Sequence, residues 1–308
     1  REIELERTWN ENHASDSWRR AYSARFHVHN CVPGDIIGDR LDEFGGGVLM
    51  SATLTPFDAF ATVTGLDHLQ TKEGRAVEYR RYDLSFPDEN RASFAVDAPK
   101  FTHDNRGAPG DNTPARRAHA DAAASVAKGP GNVLVGMPSY SEASWMATVL
   151  EERVDKPILL DEASSDDETE SLKHQFFRGE NKVLVTSLRG TLTEGVDYRG
   201  DRLSAAVVCG IPIINTNSPR TRAVRAAYDR AFGSGFEFAL LIPAVRKARQ
   251  TLGRVVRGPE ETGVRVLVDE RYAREGWDSV REFIDAEYQS VSLDMLSVGL
   301  DRFWSRHE

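Results

Sequence analysis

The sequence predicts an α/β fold, a parallel sheet with helices on both faces and a helical extension at the C-terminus. Short β-branched apolar runs at Asn132–Met137, Lys182–Ser187 and Gly263–Asp269 have the composition of buried strands. Helical patterns alternate with them, which is how crossover helices join parallel strands. The chain has 308 residues, 40% of them hydrophobic, enough for one large domain or two small ones.

In order along the chain, residues 1–25 are polar and charged and read as a lead-in segment. A strand at Ala24–Asn30 and a helix near Pro33–Glu43 follow. Gly45–Met50 reads as a further strand, running into Ser51-Ala52-Thr53. Thr55 to Asp58 resembles a capping box with Pro56 in the first helical position. Residues 84–113 are rich in Pro, Asp, Asn and Gly, which predicts an exposed, mobile loop. Then come a helix at Ala115–Lys128, a strand at Asn132–Met137 and a helix at Ser141–Glu152. Ile158–Leu160 reads as a strand, followed by a polar loop and an acid-rich helix start at Ser165-Asp-Asp-Glu168 that suits the helix dipole. Residues 277–308 read as helical, with Val280, Phe283, Ile284, Leu296, Leu300 and Trp304 as packing residues. The organisation expected is lead-in 1–25, main lobe 26–272 and extension 273–308, with no internal repeat.

Three segments carry chemistry. In Gln250-Thr-Leu-Gly253-Arg254-Val-Val-Arg257, a helix that starts near Pro243 and runs on to Arg257 would put Gln250, Arg254 and Arg257 on one face. Arginine forks match phosphate oxygens bidentately. The plain alternative is a surface helix with exposed arginines. The loop Leu188–Tyr198 follows the strand 182–187, the place where open α/β sheets bind ligands. Gly190 and Gly195 let backbone approach a phosphate or ribose, and Asp197 can accept from a hydroxyl. Ser51-Ala52-Thr53 closes a strand before a helix, which by itself is ordinary structure.

The order S-A-T, then R-G-x-x-x-E-G-x-D-[FY], then Q-x-x-G-R-x-x-R resembles motifs III, V and VI of the XPD/DinG family of superfamily 2 DNA helicases. Pro138-Ser139-Tyr140, Gly210-Ile211-Pro212 and Asp269-Glu-Arg271-Tyr272 resemble further segments of that family, and the likeness covers about residues 27–305. It implies a RecA-like second motor lobe. Arg254 and Arg257 would be arginine fingers on ATP. Gln250, Gly253, Glu194, Gly195 and Asp197 would line the nucleotide cleft. Ser51, Ala52 and Thr53 would couple nucleotide state to DNA grip, while Ser139, Tyr140, Arg189 and Thr191 would touch single-stranded DNA. It also implies 5′ to 3′ movement and a role in DNA repair.

No G-x-x-x-x-G-K-[ST] occurs in the chain, and Asp161-Glu162-Ala163 falls after S-A-T, where the family's acidic metal-holding motif would precede it. The expectation is therefore the second lobe of a longer helicase, with ATP and Mg²⁺ held mainly by a first lobe of the same polypeptide. Hydrolysis is not expected from this chain alone. An iron–sulfur cluster, which needs four thiolates, would belong to that first lobe, since Cys31 and Cys209 are the only cysteines here. Two other classes stay open: a nucleic-acid-binding module without an ATPase role, and the motor of a DinG-like nuclease or hybrid-removing protein.

Composition adds a constraint. Net charge is −9, from 48 acids against 39 basic residues, only seven of them Lys. Abundant acids with scarce lysine resemble a halophile's surface. The balance argues against a broad basic field and for local arginine contacts to nucleic acid. Two cysteines exclude a disulfide framework and suggest a reducing, cytoplasmic setting. His27, His29 and Cys31 alternate on an expected strand and could face a metal, but a half-buried strand using them for packing is the better reading, and no metal site is expected. No apolar run is long enough to span a membrane, and no membrane partner is expected.

Overall fold

The computed structural model describes residues 2–7, 9, 11–51, 53–82, 86–162, 165–193, 196–198, 200, 202–276 and 278–307. Its strands are β1 (Glu2–Arg7), β2 (Tyr22–His27), β3 (Arg91–Asp97), β4 (Val133–Met137), β5 (Ile158–Leu160), β6 (Val183–Ser187), β7 (Ala205–Cys209), β8 (Gly263–Val268) and β9 (Gln289–Ser292). Its α-helices are α1 (Gly34–Asp42), α2 (Phe57–Thr64), α3 (Leu66–Thr71), α4 (His103–Arg106), α5 (Pro114–Ala127), α6 (Tyr140–Glu151), α7 (Asp166–Phe177), α8 (Pro219–Phe232), α9 (Ile242–Leu252), α10 (Glu270–Ala273) and α11 (Leu293–Trp304). The chain divides into two compact units, residues 1–81 with 214–240, and residues 82–213 with 241–308.

In the first unit β1 and β2 form an antiparallel ribbon, Glu2 opposite His27 and Arg7 opposite Tyr22. The expected lead-in thus includes a strand. The His27 and His29 rings stack at 5.5 Å, and no group of His, Cys, Asp or Glu able to hold a metal ion occurs among the described residues. Helix α1 packs against α2 and α3 through Gly34 and Gly38. A Cβ on Gly34 would fall 2.0 Å from the Thr62 carbonyl oxygen, so only glycine allows that approach. Pro56 lies at the cap of α2 rather than inside it, and no side chain caps that end.

The expected strand at Gly45–Met50 is absent: the segment has no regular structure, and Val48 and Met50 are 82% and 86% exposed. A strand is held by hydrogen bonds from a neighbour, and no described strand pairs with this one.

The second unit is built on a seven-stranded sheet in the order β5-β6-β4-β7-β8-β3-β9. Every pairing in it is parallel. Side chains alternate cleanly between its faces. Val133, Val135, Val183, Val185, Val207, Val264 and Val266 join α5, α6 and α11 on one side. Leu134, Leu184, Ala206, Val208 and Leu267 join α7 and α9 on the other. Such near-continuous apolar strands mark a parallel sheet covered on both faces, and the α/β reading of the sequence holds.

Two segments differ from expectation. Residues 84–113, read as a loop, contain β3, an interior strand with Phe94, Ala95 and Val96 buried. Residues 273–308, read as helical, contain β9, which pairs with β3 as the sheet's last strand before α11. In both cases a run of only four to seven residues gains its strand character from a neighbour and carries little pattern of its own.

From β4 the chain first builds β5 and β6 on one side, then passes to β7 and β8 on the other. Connections diverging from one strand open a crevice at the carboxyl ends, the usual ligand position in such sheets. The carboxyl ends of β4, β6 and β7 lead into Pro138-Ser139-Tyr140, Leu188–Tyr198 and Gly210-Ile211-Pro212.

Candidate functional site

Ser139 is the N-cap of α6, its hydroxyl accepting from the Glu142 N–H at 3.3 Å. The cap fixes Tyr140 as the first helical residue, half-buried at the end of β4. Behind it, Glu142 is buried and accepts from Arg116 at 2.8 and 3.3 Å, with Arg106 at 3.0 Å. The Arg116 guanidinium lies over Trp145, 4.4 Å from the ring centroid. This paired, stacked network orients the cap, and sequence reading missed it because its members lie on separate helices.

The Leu188–Tyr198 loop is anchored from within. Leu188, Leu192, Thr193 and Tyr198 are buried, while Arg189, Thr191 and Asp197 are exposed. Thr193 Oγ1 donates to the Gly190 carbonyl at 2.8 Å and Tyr198 Oη to the Leu192 carbonyl at 2.8 Å. The Tyr198 ring meets Phe177 edge-on at 5.4 Å. Gly190 is required for close approach, since a Cβ there would lie 2.8 Å from Asp161 Oδ2 and 2.9 Å from Tyr140 Oη. Tyr140, Arg189 and Thr191, three of the residues assigned to DNA contact, thus lie around one glycine. Arg189 Nη2 donates to the Ile213 carbonyl at 2.7 Å.

Asp161, just past the end of β5, lies beside this loop. It is buried and accepts from Thr186 Oγ1 at 2.6 Å. Burial raises its carboxyl above the usual range, against the opposing pull of that hydrogen bond. Burial, with the nearby Asp161 charge, likewise raises the Tyr140 hydroxyl. The acid-rich helix start expected after β5 is present, with Ser165 and Glu168 forming a reciprocal capping box at the head of α7.

The arginine motif departs from the expected single helix. Helix α9 ends at Leu252, capped by Gly253, whose N–H donates to the Arg249 carbonyl at 2.8 Å. Glycine and the β-branched Val255 and Val256 favour leaving the helix. Gln250 remains on α9 and Arg254 and Arg257 lie beyond it, so the three do not share a helical face. They reach the preceding loop in another way. Arg254 Nε donates to the Thr193 carbonyl at 2.8 Å, its Nη1 donates to the Val196 carbonyl, and its guanidinium sits 6.0 Å from the Tyr198 ring centroid. Arg257 Nη1 donates to Asp197 Oδ1 at 2.7 Å. Glu261 closes the arrangement, accepting from the N–H groups of Arg257 at 2.7 Å and Gly200 at 2.9 Å.

Further along, Asp269 is buried and accepts from Arg271 Nε at 2.8 Å, Arg271 Nη2 at 2.7 Å and the Phe101 N–H at 3.0 Å. Burial alone would raise its carboxyl. The Arg271 fork and the Phe101 amide outweigh it and hold the group below the usual range.

Ser51 and Thr53 belong to the first unit, where Ser51 Oγ accepts from the Thr53 N–H at 3.2 Å. Ala52, Glu194 and Gly195 lie outside the described residues.

The loop after β6 and the turn after α9 are thus bound together by Arg254 and Arg257 at one end of a buried parallel sheet. Residues 123–284 match the family described as the helicase C-terminal domain, and the chain belongs to that family. Its relatives include the XPD helicase subunit of general transcription and DNA repair factor IIH from Dictyostelium discoideum, 33% identical over 125 residues, covering 38% of this chain and 16% of that protein. The ATP-dependent helicase DinG of Mycobacterium tuberculosis is 28% identical over 232 residues, covering 73% of this chain and 32% of that protein. The chain therefore spans a third or less of these relatives' length. Among solved structures, Xpd4 of S. tokodaii aligns over 83% of this chain and 57% of its own, with 14% identity and a TM-score of 0.48.

Proposed function

We propose that this chain is the second motor lobe of an ATP-dependent DNA helicase. The observation that carries the reading is the tie between the Leu188–Tyr198 loop and the arginine turn, which places Asp197, Arg254 and Arg257 in one hydrogen-bonded unit. Arg254 acts as a clamp, with two of its donors held by backbone carbonyls. Arg257 is the phosphate-facing finger. Its pair with Asp197 is exposed, 36% and 55%, and such pairs contribute about 0–1 kcal/mol. Exchanging that carboxylate for a γ-phosphoryl group costs little, and charge developing in transfer would then be met by a fork already in place.

ATP and Mg²⁺ would be held mainly by a first lobe of the same polypeptide, where any iron–sulfur cluster would also reside. Gln250, Gly253, Glu194, Gly195 and Asp197 would line the cleft from this side, and Ser51, Ala52 and Thr53 would transmit nucleotide state. Ser139, Tyr140, Arg189 and Thr191 would grip single-stranded DNA during 5′ to 3′ movement in DNA repair. The acidic composition, −9 net, supports an enzyme working in concentrated salt, in the cytoplasm. No helix among the described residues is long and apolar enough to cross a membrane.

The test is a fluorescence titration of the 308-residue chain with oligo-dT. Weak binding without sequence preference is expected, lost as salt rises. Tyr140→Ala should weaken it by about 1–3 kcal/mol if the ring stacks on a base. Absence of any binding in low salt contradicts the reading.

A further inference from the structure

The first unit holds another concentration of arginine, outside every motif described above. Helix α8, in the segment between β7 and α9, carries Arg220, Arg222, Arg225 and Arg230, all exposed. Thr221, Val224, Tyr228 and Phe232 recur with helical period and take the more buried positions. Helical rotation spreads the four arginines around the remaining surface, with exposed Ala223 and Ala226 between them. The helix has one acid, Asp229, and its Oδ1 is engaged by the Gly235 N–H at 2.6 Å. Arg225 lies over the Phe236 ring at 5.7 Å.

This surface is unlike the rest of an acidic chain. Several arginines elsewhere are matched to carboxylates: Arg249 with Asp285, Arg257 with Asp197, Arg271 with Asp269 and Arg274 with Asp97, each at 2.7 Å. Among the described residues, none of the four on α8 forms an ion pair with a carboxylate. Arg222 and Arg225 are neighbours on the helix surface, at i and i+3, with the small, exposed Ala226 beside them, which suits a polyanion whose backbone can lie close to the helix. Arginine forks bind phosphate in pairs of hydrogen bonds.

We propose that the side of α8 that carries Arg222 and Arg225 binds the phosphodiester backbone of single-stranded DNA. The proposal rests on reading the chain as a DNA-helicase lobe. With a net charge of −9, the chain as a whole repels a polyanion, so a local face of unmatched arginines supplies the attraction.

The experiment titrates labelled oligo-dT with the whole chain over a salt series, for the parent, the R222Q/R225Q double variant and Ala226→Glu. The double variant should bind more weakly and lose about 1.4 from the slope of log affinity against log salt, since each single-strand phosphate contact contributes about 0.7. Ala226→Glu removes no arginine and lies on an exposed position beside Arg222, so its melting temperature should match the parent while its binding weakens; it decides the question if the double variant fails to fold. A parent that binds, with both variants keeping its affinity and slope, overturns this proposal and leaves the lobe reading intact. A parent that binds no oligonucleotide overturns the lobe reading and this proposal with it. Displacement of the oligonucleotide by polyglutamate at equal charge concentration overturns the assignment of the face to DNA.

Discussion

Segments 45–53 and 188–198 each lead from an apolar run into a polar motif, yet their environments are opposite. In 188–198 the apolar residues are spent inward: Leu188, Leu192 and Tyr198 fill the sheet's helical face, and Arg254 grips the backbone from outside. In 45–53 Val48 and Met50 are exposed, and Ser51 and Thr53 bond to each other locally. A motif becomes a rigid site only where its neighbours supply both packing and hydrogen-bond partners. Strand character in particular is lent by an adjacent strand.

The sharpest way to break this contrast is to cut into the packed segment. Leu192→Ala should cost about 2–5 kcal/mol in chemical denaturation, the range for buried leucine truncation. A loss below 1 kcal/mol would mean the loop is not held by its interior, as claimed. Arg254→Ala should cost about 1.5–3 kcal/mol, because two carbonyls lose a charged donor, whereas Arg257→Ala should leave the melting temperature almost unchanged. Equal effects from the two would erase the distinction between clamp and finger.

Asp161 offers a pH readout of the same packing. Its carboxyl is raised by burial, so the native state holds the proton to higher pH than the unfolded chain. This group's contribution to stability is therefore full in acid and is lost as pH climbs from the ordinary carboxylate range through the raised value. Asp161→Asn should flatten that part of the stability profile, and a variant whose profile tracks the parent would show Asp161 to be solvated. At the small end, Val48→Ser should shift stability by no more than about 0.5 kcal/mol, as surface substitutions do. A larger loss would show that segment 45–50 is packed.

Much of this was legible in the residues. β4, β6 and β8 are apolar, β-branched and bounded by turn residues, and their environment asks nothing else of them. β3 and β9 were not legible. Arg91–Asp97 sits among prolines, asparagines and acids, and Gln289–Ser292 is short and polar, so both depend on partners distant in sequence. The end of α9 was written in Gly253-Arg-Val-Val, yet the phosphate-binding pattern across it invited one continuous helix. Of the site, the motif residues were visible as a series. Asp161, Glu261 and the Arg116–Glu142 pair were not, since each acts through a contact that only folding creates.

The central claim is that Arg257, held ready by Asp197, meets charge on a phosphoryl group bound by another lobe. It is tested most directly by single-turnover ATP hydrolysis in a protein that joins this lobe to a nucleotide-holding lobe, comparing the parent with Arg257→Ala at saturating ATP and DNA. Arg257→Ala should lose roughly 10³-fold in rate, in the range known for arginine fingers, with ATP affinity changed far less because the charge develops in the transition state. Hydrolysis near the parent rate would contradict it.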